Sequence, residues 1–313
     1  MDRFEGMRIL AAVAAHGSLS AAGRALHMPL TSVSRKVSDL EASLGARLVN
    51  RTTRKLGFTE SGLAYLDAAL RILEQVDEAE RQARGEFETP KGTLVMTAPV
   101  MFGRLHVLPL LADFLSANPR IDVKLMLNDR NIDLMENHVD MAVRIGALPD
   151  SNMVATRVGQ LRMVTCASPA LLRRHPTPVT PADLARLPCI ALDTPMPVHA
   201  WTFHDPRRRR AVEVLVVPRL TVTTSDAALD AAVRGMGVCR LLEYQVADAV
   251  RRRKLVLVLR DFEQPPVPIS LLHASGGRMP LKMRSFLDFA GPRLRKELLE
   301  FGIVPATQNR VSL

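Results

Sequence analysis

Pro29-Leu30-Thr31-Ser32-Val33-Ser34-Arg35-Lys36-Val37-Ser38-Asp39-Leu40-Glu41-Ala42-Ser43-Leu44-Gly45 decides how this chain is read. Val33, Val37, Leu40 and Leu44 are spaced four, three and four apart, so on a helix they form one apolar stripe that a core must cover. Thr31, Ser34, Arg35 and Ser38 form a second stripe of small hydroxyls and one guanidinium. It carries no acid, because Asp39 and Glu41 lie off it. Such a surface fits a DNA major groove: it offers hydrogen-bond donors and nothing that repels phosphate. Pro29 suits the start of the helix, where its missing N–H is not needed, and Gly45 suits the stop. Leu30, Thr31, Ser32, Ser34, Arg35 and Ser38 are the candidate DNA contacts on this helix.

Upstream, residues 3–16 read as a helix with Phe4, Met7, Leu10 and Val13 on its apolar face, flanked by Ala11 and Ala14. Ser18 is an N-cap for a helix over 19–26 and joins the DNA-binding candidates. Ala21, Ala22 and Ala25 let a neighbouring helix approach closely, and His27-Met28-Pro29 makes the turn. Downstream, two short apolar pieces between Leu48 and Thr59 flank a basic tip, Arg51 to Lys55. This predicts a β-hairpin wing whose Arg51, Thr53 and Arg54 meet phosphates or a minor groove. Thr59 caps a long helix over 60–84. Its Leu63, Leu66, Leu70, Leu73 and Val76 form a stripe suited to pairing with a second copy. Residues 85–92 read as a hinge.

The formal net charge is +10, but its distribution gives the DNA reading no help. Residues 1–60 carry nine Lys/Arg against five Asp/Glu, residues 61–90 three against seven, and the remainder thirty against twenty. The DNA-binding argument therefore rests on the motif. Three widely separated cysteines, Cys166, Cys189 and Cys239, predict buried thiols rather than a disulfide framework or a metal site. The N-terminus lacks a secretory pattern, and the sequence reads as holding no run of about 18 apolar residues, so no membrane span is expected. A cytoplasmic protein follows as the expectation.

Residues 93–300 alternate between strand-like runs and helical patterns. The strands are expected at Thr93–Thr97, Ile121–Leu127, Met141–Ile145, Met163–Ala167, Val212–Val217, Leu255–Leu259 and Pro268–His273. Helices are expected over 104–117, 226–235 and 243–253, which predicts an α/β unit with mostly parallel strands.

The N-terminal pattern resembles the LysR-type transcriptional regulator family. The matching residues are Ser18-Leu19-Ser20-Ala21-Ala22 with Ala25-Leu26, Val33-Ser34-Arg35, Leu40-Glu41, Leu44-Gly45, Leu48, Arg51-Thr52-Thr53-Arg54 and Thr59-Glu60-Ser61-Gly62. A weaker likeness continues through Thr97–Gly103 and Val139–Gly146. Trp201-Thr202-Phe203 looks like the subgroup with a W-x-F hairpin. The resemblance implies a multidomain α+β and α/β protein: a winged helix-turn-helix (1–59), a linker and dimerisation helix with hinge (60–90), and an effector-binding domain (91–303) like periplasmic binding proteins, with a tail at 304–313. The effector domain would have lobe I at 91–162 and 268–303 and lobe II at 163–267. The implied partners are double-stranded promoter DNA, a small-molecule effector of anionic character, RNA polymerase, and further copies of the chain in a homodimer or homotetramer. One departure stands out. Many members begin the recognition helix with Gln, where this chain has Leu30. Leu30 has no amide for adenine but suits a thymine methyl.

By the same analogy the effector lies between the lobes, where strand ends and helix N-termini present free N–H groups to an anion. The candidates are the turn Pro99-Val100-Met101-Phe102-Gly103, with Asn128, Arg144, Gly146, Trp201, Thr224, Ser225 and Asp226. Arg144 suits either a ligand carboxylate or an internal salt bridge. The runs Arg207–Arg210 and Arg251–Lys254 read as a solvated loop and a helix end favoured by the dipole. The eight histidines show no metal-ligand spacing, and no catalytic or cofactor motif is present. No metal, no cofactor and no enzymatic activity are expected. The competing readings are an enzyme or a solute-binding domain fused to a DNA-binding module.

Overall fold

Helix α1 (Arg3–His16) opens on Asp2, whose carboxylate accepts from the Phe4 amide at 3.0 Å, and stops at Gly17 in the left-handed region. These features belong to a computed structural model that describes residues 2–51, 56–83, 89–130, 132–148, 153–193, 200–274 and 279–300. The chain divides into two units, Met1–Thr89 and Pro90–Leu313.

In the first unit the buried face of α1 is Gly6, Ile9, Leu10 and Val13. The expected Phe4-Met7-Leu10-Val13 face is corrected, since Phe4 is 45% exposed. Strict three-residue spacing drifts by about 60° per step on a helix of 3.6 residues per turn, so those four cannot share one side. Helix α2 (Leu19–Ala25) is capped by Ser18, whose Oγ accepts from the Ala21 amide at 3.1 Å. Helix α3 (Leu30–Leu44) buries Val33, Val37 and Leu40. Leu44, expected in that stripe, is 42% exposed because the last turn runs past the core. Strands β1 (Val49–Arg51) and β2 (Leu56–Phe58) pair antiparallel, with Val49 opposite Phe58. Helix α4 (Glu60–Ala83) follows.

The second unit holds two five-stranded sheets. The first contains β3 (Gly92–Ala98), β4 (Ile121–Leu127), β5 (Met141–Ile145) and β6 (Met153–Leu161). Between β3 and β4 a helical segment runs through α5 (Val100–Phe102), a π turn (Gly103–Val107) and α6 (Leu108–Ala117). Pro109 explains the π turn: it has no N–H for the carbonyl four residues earlier, and a wider turn accommodates the loss. The helix was expected to start at 104; it starts at Val100. Val100–Ala117 is also long and apolar enough by composition to cross a membrane, against the expectation that no such run exists. Its apolar residues Met101, Phe102, Val107, Leu110, Leu111 and Phe114 lie in the first sheet's core.

The second sheet is built from β7 (Met163–Ala167), β8 (Cys189–Leu192), β11 (Pro218–Val222), β12 (Val238–Leu242) and β13 (Val256–Val258). Helix α7 (Pro169–Arg174) follows β7, and a hairpin of β9 (Ala200–Asp205) and β10 (Arg210–Leu215) follows β8. Helices α8 (Ser225–Val233) and α9 (Glu243–Arg251) cover one face. The chain then returns as β14 (Val267–Ala274), and α10 (Leu281–Glu300) packs its Met283, Phe286, Ala290, Leu294 and Leu298 against the first sheet. The orders are β4-β3-β5-β14-β6 and β11-β8-β12-β7-β13.

The expectation of mostly parallel strands is corrected. β14 is antiparallel to β5 and β6, and β12 and β13 are antiparallel to β7. Parallel neighbours need a crossover connection. The chain passes from β6 to β7 through Arg162 alone and comes back through residues 263–266, so the strands at these crossings run against their neighbours. Arg162 fastens both crossings. Its amide and Nε donate to the Glu243 carboxylate at 3.0 and 2.8 Å, and its Nη1 donates to Glu263 at 3.3 Å. Burial raises the Glu263 carboxyl, opposed by the Arg162 charge.

Candidate nucleic-acid interface and effector site

Helix α3 is held on one side and open on the other. Val33, Val37 and Leu40 sit with Ile9, Leu10, Val13, Ala22, Leu48 and Val49 in the first unit's core. On the opposite side Leu30, Thr31 and Arg35 are exposed, and Ser32, Ser34 and Ser38 are half-buried. The Ser38 hydroxyl donates to the Ser34 carbonyl at 3.1 Å. Lys36 is ion-paired to Glu5 of α1, which fixes the helix laterally. Leu30, 48% exposed, borders an open depression with Ser20, Gly23, Arg24, His27, Met28 and Pro29. Gly23 makes this turn possible: a Cβ there would lie 2.8 Å from the Met28 carbonyl oxygen.

The wing is tied to the same helix. Glu41, one turn from the end of α3, accepts from the Leu48 and Val49 amides at 2.7 and 3.0 Å. Thr59 Oγ1 donates to the Arg47 carbonyl at 2.6 Å and accepts from the Gly62 amide at 2.9 Å, so the cap of α4 also closes the base of the hairpin. Arg51 ends β1; its side chain, with Thr53 and Arg54 of the basic tip, lies outside the described residues. So do residues 84–88 of the expected hinge and the 304–313 tail. Glu41→Ala removes the acceptor from the Leu48 and Val49 amides at the start of the wing. It is expected to lower stability by about 1–2 kcal/mol, read as a lower urea midpoint for the wild-type slope. An unchanged midpoint would show that water replaces the carboxylate at no cost.

In the second unit, several expected effector residues meet at one seam between the sheets. Tyr244 of α9 lies within the first sheet's core, in ring contact with Phe102 at 5.5 Å and His106 at 5.3 Å. Met101, Phe102 and Gly103 are themselves buried. A Cβ on Gly103 would meet Leu127 at 2.2 Å, so this glycine lets the helix lie directly on the strand ends. Val100 donates its amide to Asp129 at 2.9 Å, and the Asn128 side chain accepts from the Arg130 amide at 2.8 Å. Thr224 occupies the N-cap position of α8 without a side-chain cap bond. Its hydroxyl is the main cause holding the Asp226 carboxyl below its usual range, with a smaller pull from Arg104 of the π turn. The charge of Arg104, next to the 99–103 turn, thus acts on the carboxyl of the 224–226 turn.

The others lie elsewhere. Arg144 donates Nη2 to the Ile132 carbonyl at 2.8 Å, so among the described residues its recorded partner is a backbone oxygen rather than an acid. Gly146 follows β5 at φ 111, with its amide bonded to the Pro268 carbonyl at 2.9 Å. Trp201 is on the β9–β10 hairpin and packs with Phe203 and Val214 on the face of the second sheet opposite α8 and α9. Residues to which the sequence reading gave no structural role include Glu41, Tyr244, Arg162 and Arg240. Arg240 had one signal, a single charge within the apolar strand Val238-Cys239-Arg240-Leu241-Leu242.

A winged helix-turn-helix joined to a two-sheet α/β unit defines a ligand-responsive DNA-binding regulator as the class. Residues 4–63 match the bacterial regulatory helix-turn-helix protein of the lysR family, and residues 87–295 match the LysR substrate binding domain. An HTH-type transcriptional regulator of Xanthomonas campestris pv. campestris (strain 8004) is 37% identical over 292 residues, 91% of this chain and 84% of that one. The HTH-type transcriptional regulator PtxR of Pseudomonas aeruginosa is 33% identical, over 91% of each chain. The solved structure of CrgA, a LysR-type regulator from Neisseria meningitidis, is similar with a TM-score of 0.60 at 30% identity, covering 93% of this chain and 98% of that one. The chain belongs to the LysR family of transcriptional regulators. It is a DNA-binding regulator with an effector-binding domain, in a family whose members bind promoter DNA and form oligomers.

Proposed function

We propose that α3 reads promoter sequence through Leu30, Thr31, Ser34 and Arg35, while Ser18, Ser32, Ser38, Arg51, Thr53 and Arg54 meet the backbone. The carrying observation is the two-sided helix: Val33, Val37 and Leu40 buried, and Leu30, Thr31 and Arg35 open. Phosphate contacts set affinity and register, and contacts to base edges set sequence choice. Helix α4 pairs with a second copy. Leu63 and Leu70 are 57% and 49% exposed, and Leu73 and Val76 are half-buried, while Leu66 also packs against its own unit's core. Two such dimers form a tetramer in the cytoplasm.

The two sheets are the lobes of a periplasmic-binding-protein-like domain of the W-x-F subgroup, Trp201 and Phe203 lying side by side on β9. A small anionic effector enters between them, near Pro99–Gly103, Asn128 and Thr224–Asp226. It alters promoter bending and contact with RNA polymerase.

The test is a mobility shift with DNA from the upstream intergenic region at about 50 and 200 mM salt. Six to ten phosphate contacts predict a loss of about a thousandfold to a hundred-thousandfold in affinity between the two, with unrelated DNA binding far more weakly. Equal affinity for unrelated DNA would overturn sequence-specific reading. Light scattering that returned only the 34.5 kDa monomer would overturn pairing through α4.

A further inference from the structure

One end of the second sheet gathers cations. Strand β7 ends at Ala167, opposite Val256, the first residue of β13. Its Cys166 is opposite Cys239, the second residue of β12. The chain therefore leaves β7 and enters β12 and β13 at the same end of three neighbouring strands, which together span about 10 Å. Helix α7 follows β7 there and presents Arg173 and Arg174. Arg234 ends α8 just before β12, and the run Arg251–Lys254 ends α9 just before β13. All seven of these cations are exposed. Arg174 ties two of the segments together, donating Nη2 to the Gly235 carbonyl at 3.0 Å. The acids in the same segments are Asp230 and Asp248, and Asp248 is taken by Arg252 at 2.9 Å.

Pairing with helix ends accounts for part of this charge. The C-terminus of a helix carries about half a negative charge, so α7, α8 and α9 together ask for one or two cations. Seven Lys/Arg against two acids leave five in surplus, half of the whole excess carried by residues 91–313. Like charges crowded at one end repel until an anion covers them. Six of the seven are arginines, whose planar forks take phosphate oxygens in paired bonds. The large apolar residues exposed at this end are Met236 and Val256, too little for the apolar centre of a protein–protein contact. A repeating row of phosphates fits the surface better than another protein does.

We propose that this end of the second unit binds the phosphate backbone of duplex DNA outside the stretch read by α3, so that the promoter is held at two places. The inference rests on the reading of the chain as a promoter-binding regulator and adds a second contact with no base preference of its own. It sets affinity and salt dependence rather than sequence choice. It also gives the Arg251–Lys254 run a role beyond the helix dipole.

The test uses the full chain and DNA from the upstream intergenic region. Affinity is followed against salt by fluorescence anisotropy, and the contacted stretch by hydroxyl-radical footprinting. R251Q/R253Q/K254Q leaves the Arg252–Asp248 pair in place. R207Q/R208Q/R210Q removes the same charge from the exposed tip of the β9–β10 hairpin and serves as control. Each phosphate contact contributes about 0.9 to the slope of log affinity against log salt. The first variant is expected to lose about two to three units of slope for each copy that touches DNA, and about tenfold to a hundredfold in affinity at about 100 mM salt. Its footprint should lose a flanking part and keep the rest, with Tm and oligomer size unchanged. The control should keep the wild-type slope and footprint. A wild-type slope and footprint in the first variant would overturn the proposal and point to an acidic protein as the partner of this surface. Equal losses in both variants would overturn it too, because net charge alone would then account for them. So would loss of the entire footprint, which would place the effect at the first unit. A wild-type chain that binds promoter and unrelated DNA alike would remove the regulator reading instead, and the slopes of the two variants on that DNA would still decide this one.

Discussion

Gly62→Ala is expected to abolish promoter binding by unfolding the first unit. Gly62 is in the first turn of α4, where an alanine raises helix propensity by about 1 kcal/mol over glycine. Propensity alone therefore predicts stabilisation. The opposing effect is larger: a Cβ at this position would lie 1.9 Å from the Leu48 carbonyl oxygen and 2.8 Å from its carbon. These are backbone atoms, so no side-chain rotation relieves the contact. The Leu48 amide is also held by Glu41, and the Leu48 carbonyl accepts from the Thr59 amide at 3.0 Å. Moving Leu48 breaks the wing at its base, and moving α4 away breaks the Thr59 cap. A net loss of about 3 kcal/mol or more is expected. Thermal unfolding and promoter binding by fluorescence anisotropy measure it. A variant that melts at or above wild type and still binds would refute the close approach of α4 to Leu48.

Arg35→Ala is expected to remove specific binding while leaving fold and oligomer intact. Arg35 is exposed on α3 and belongs to no core cluster, so its loss costs the fold little. A bidentate arginine contact to guanine is worth about 1–3 kcal/mol of discrimination, and a dimer places one on each half-site. The specific affinity should therefore fall about a hundredfold to ten-thousandfold, with residual binding that no longer distinguishes promoter from unrelated DNA. Size and Tm measured alongside separate the explanations. If oligomer or fold is lost with Arg35, the residue faces protein and not duplex.

The helical parts of the first unit were legible because their apolar residues recur at helical spacing and their ends carry Ser18, Pro29 and Gly45. The buried side of α1 was misread because a three-residue repeat drifts around a helix, and Phe4 lies off it. In the second unit β4, β5 and β7 were legible as bounded apolar runs. β6 was not: its burial is interrupted by exposed Val154, Ala155, Arg157 and Gln160, as on a strand at the edge of a sheet. β8 and β12 are short and carry a cysteine or an arginine, which weakens the apolar signal. The crossings at Arg162 and residues 263–266 depend on which sheet a strand joins, and local pattern does not encode that choice. At the candidate effector site, capping patterns marked Thr224–Asp226 and the 99–103 turn. Tyr244 acquires its meaning only from what lies across from it in space.

Cys166, Cys189 and Cys239 are all buried, and the Sγ atoms of Cys166 and Cys239 are 3.4 Å apart on adjacent strands. An alkylating reagent reaches them only when the second sheet comes apart, so the native molecule can be dye-labelled at an introduced surface cysteine without touching its own. The same trio doubles as an internal clock. The pace at which alkylation appears at those three positions reports how often that sheet opens, and a ligand clasped against it should slow the ticking.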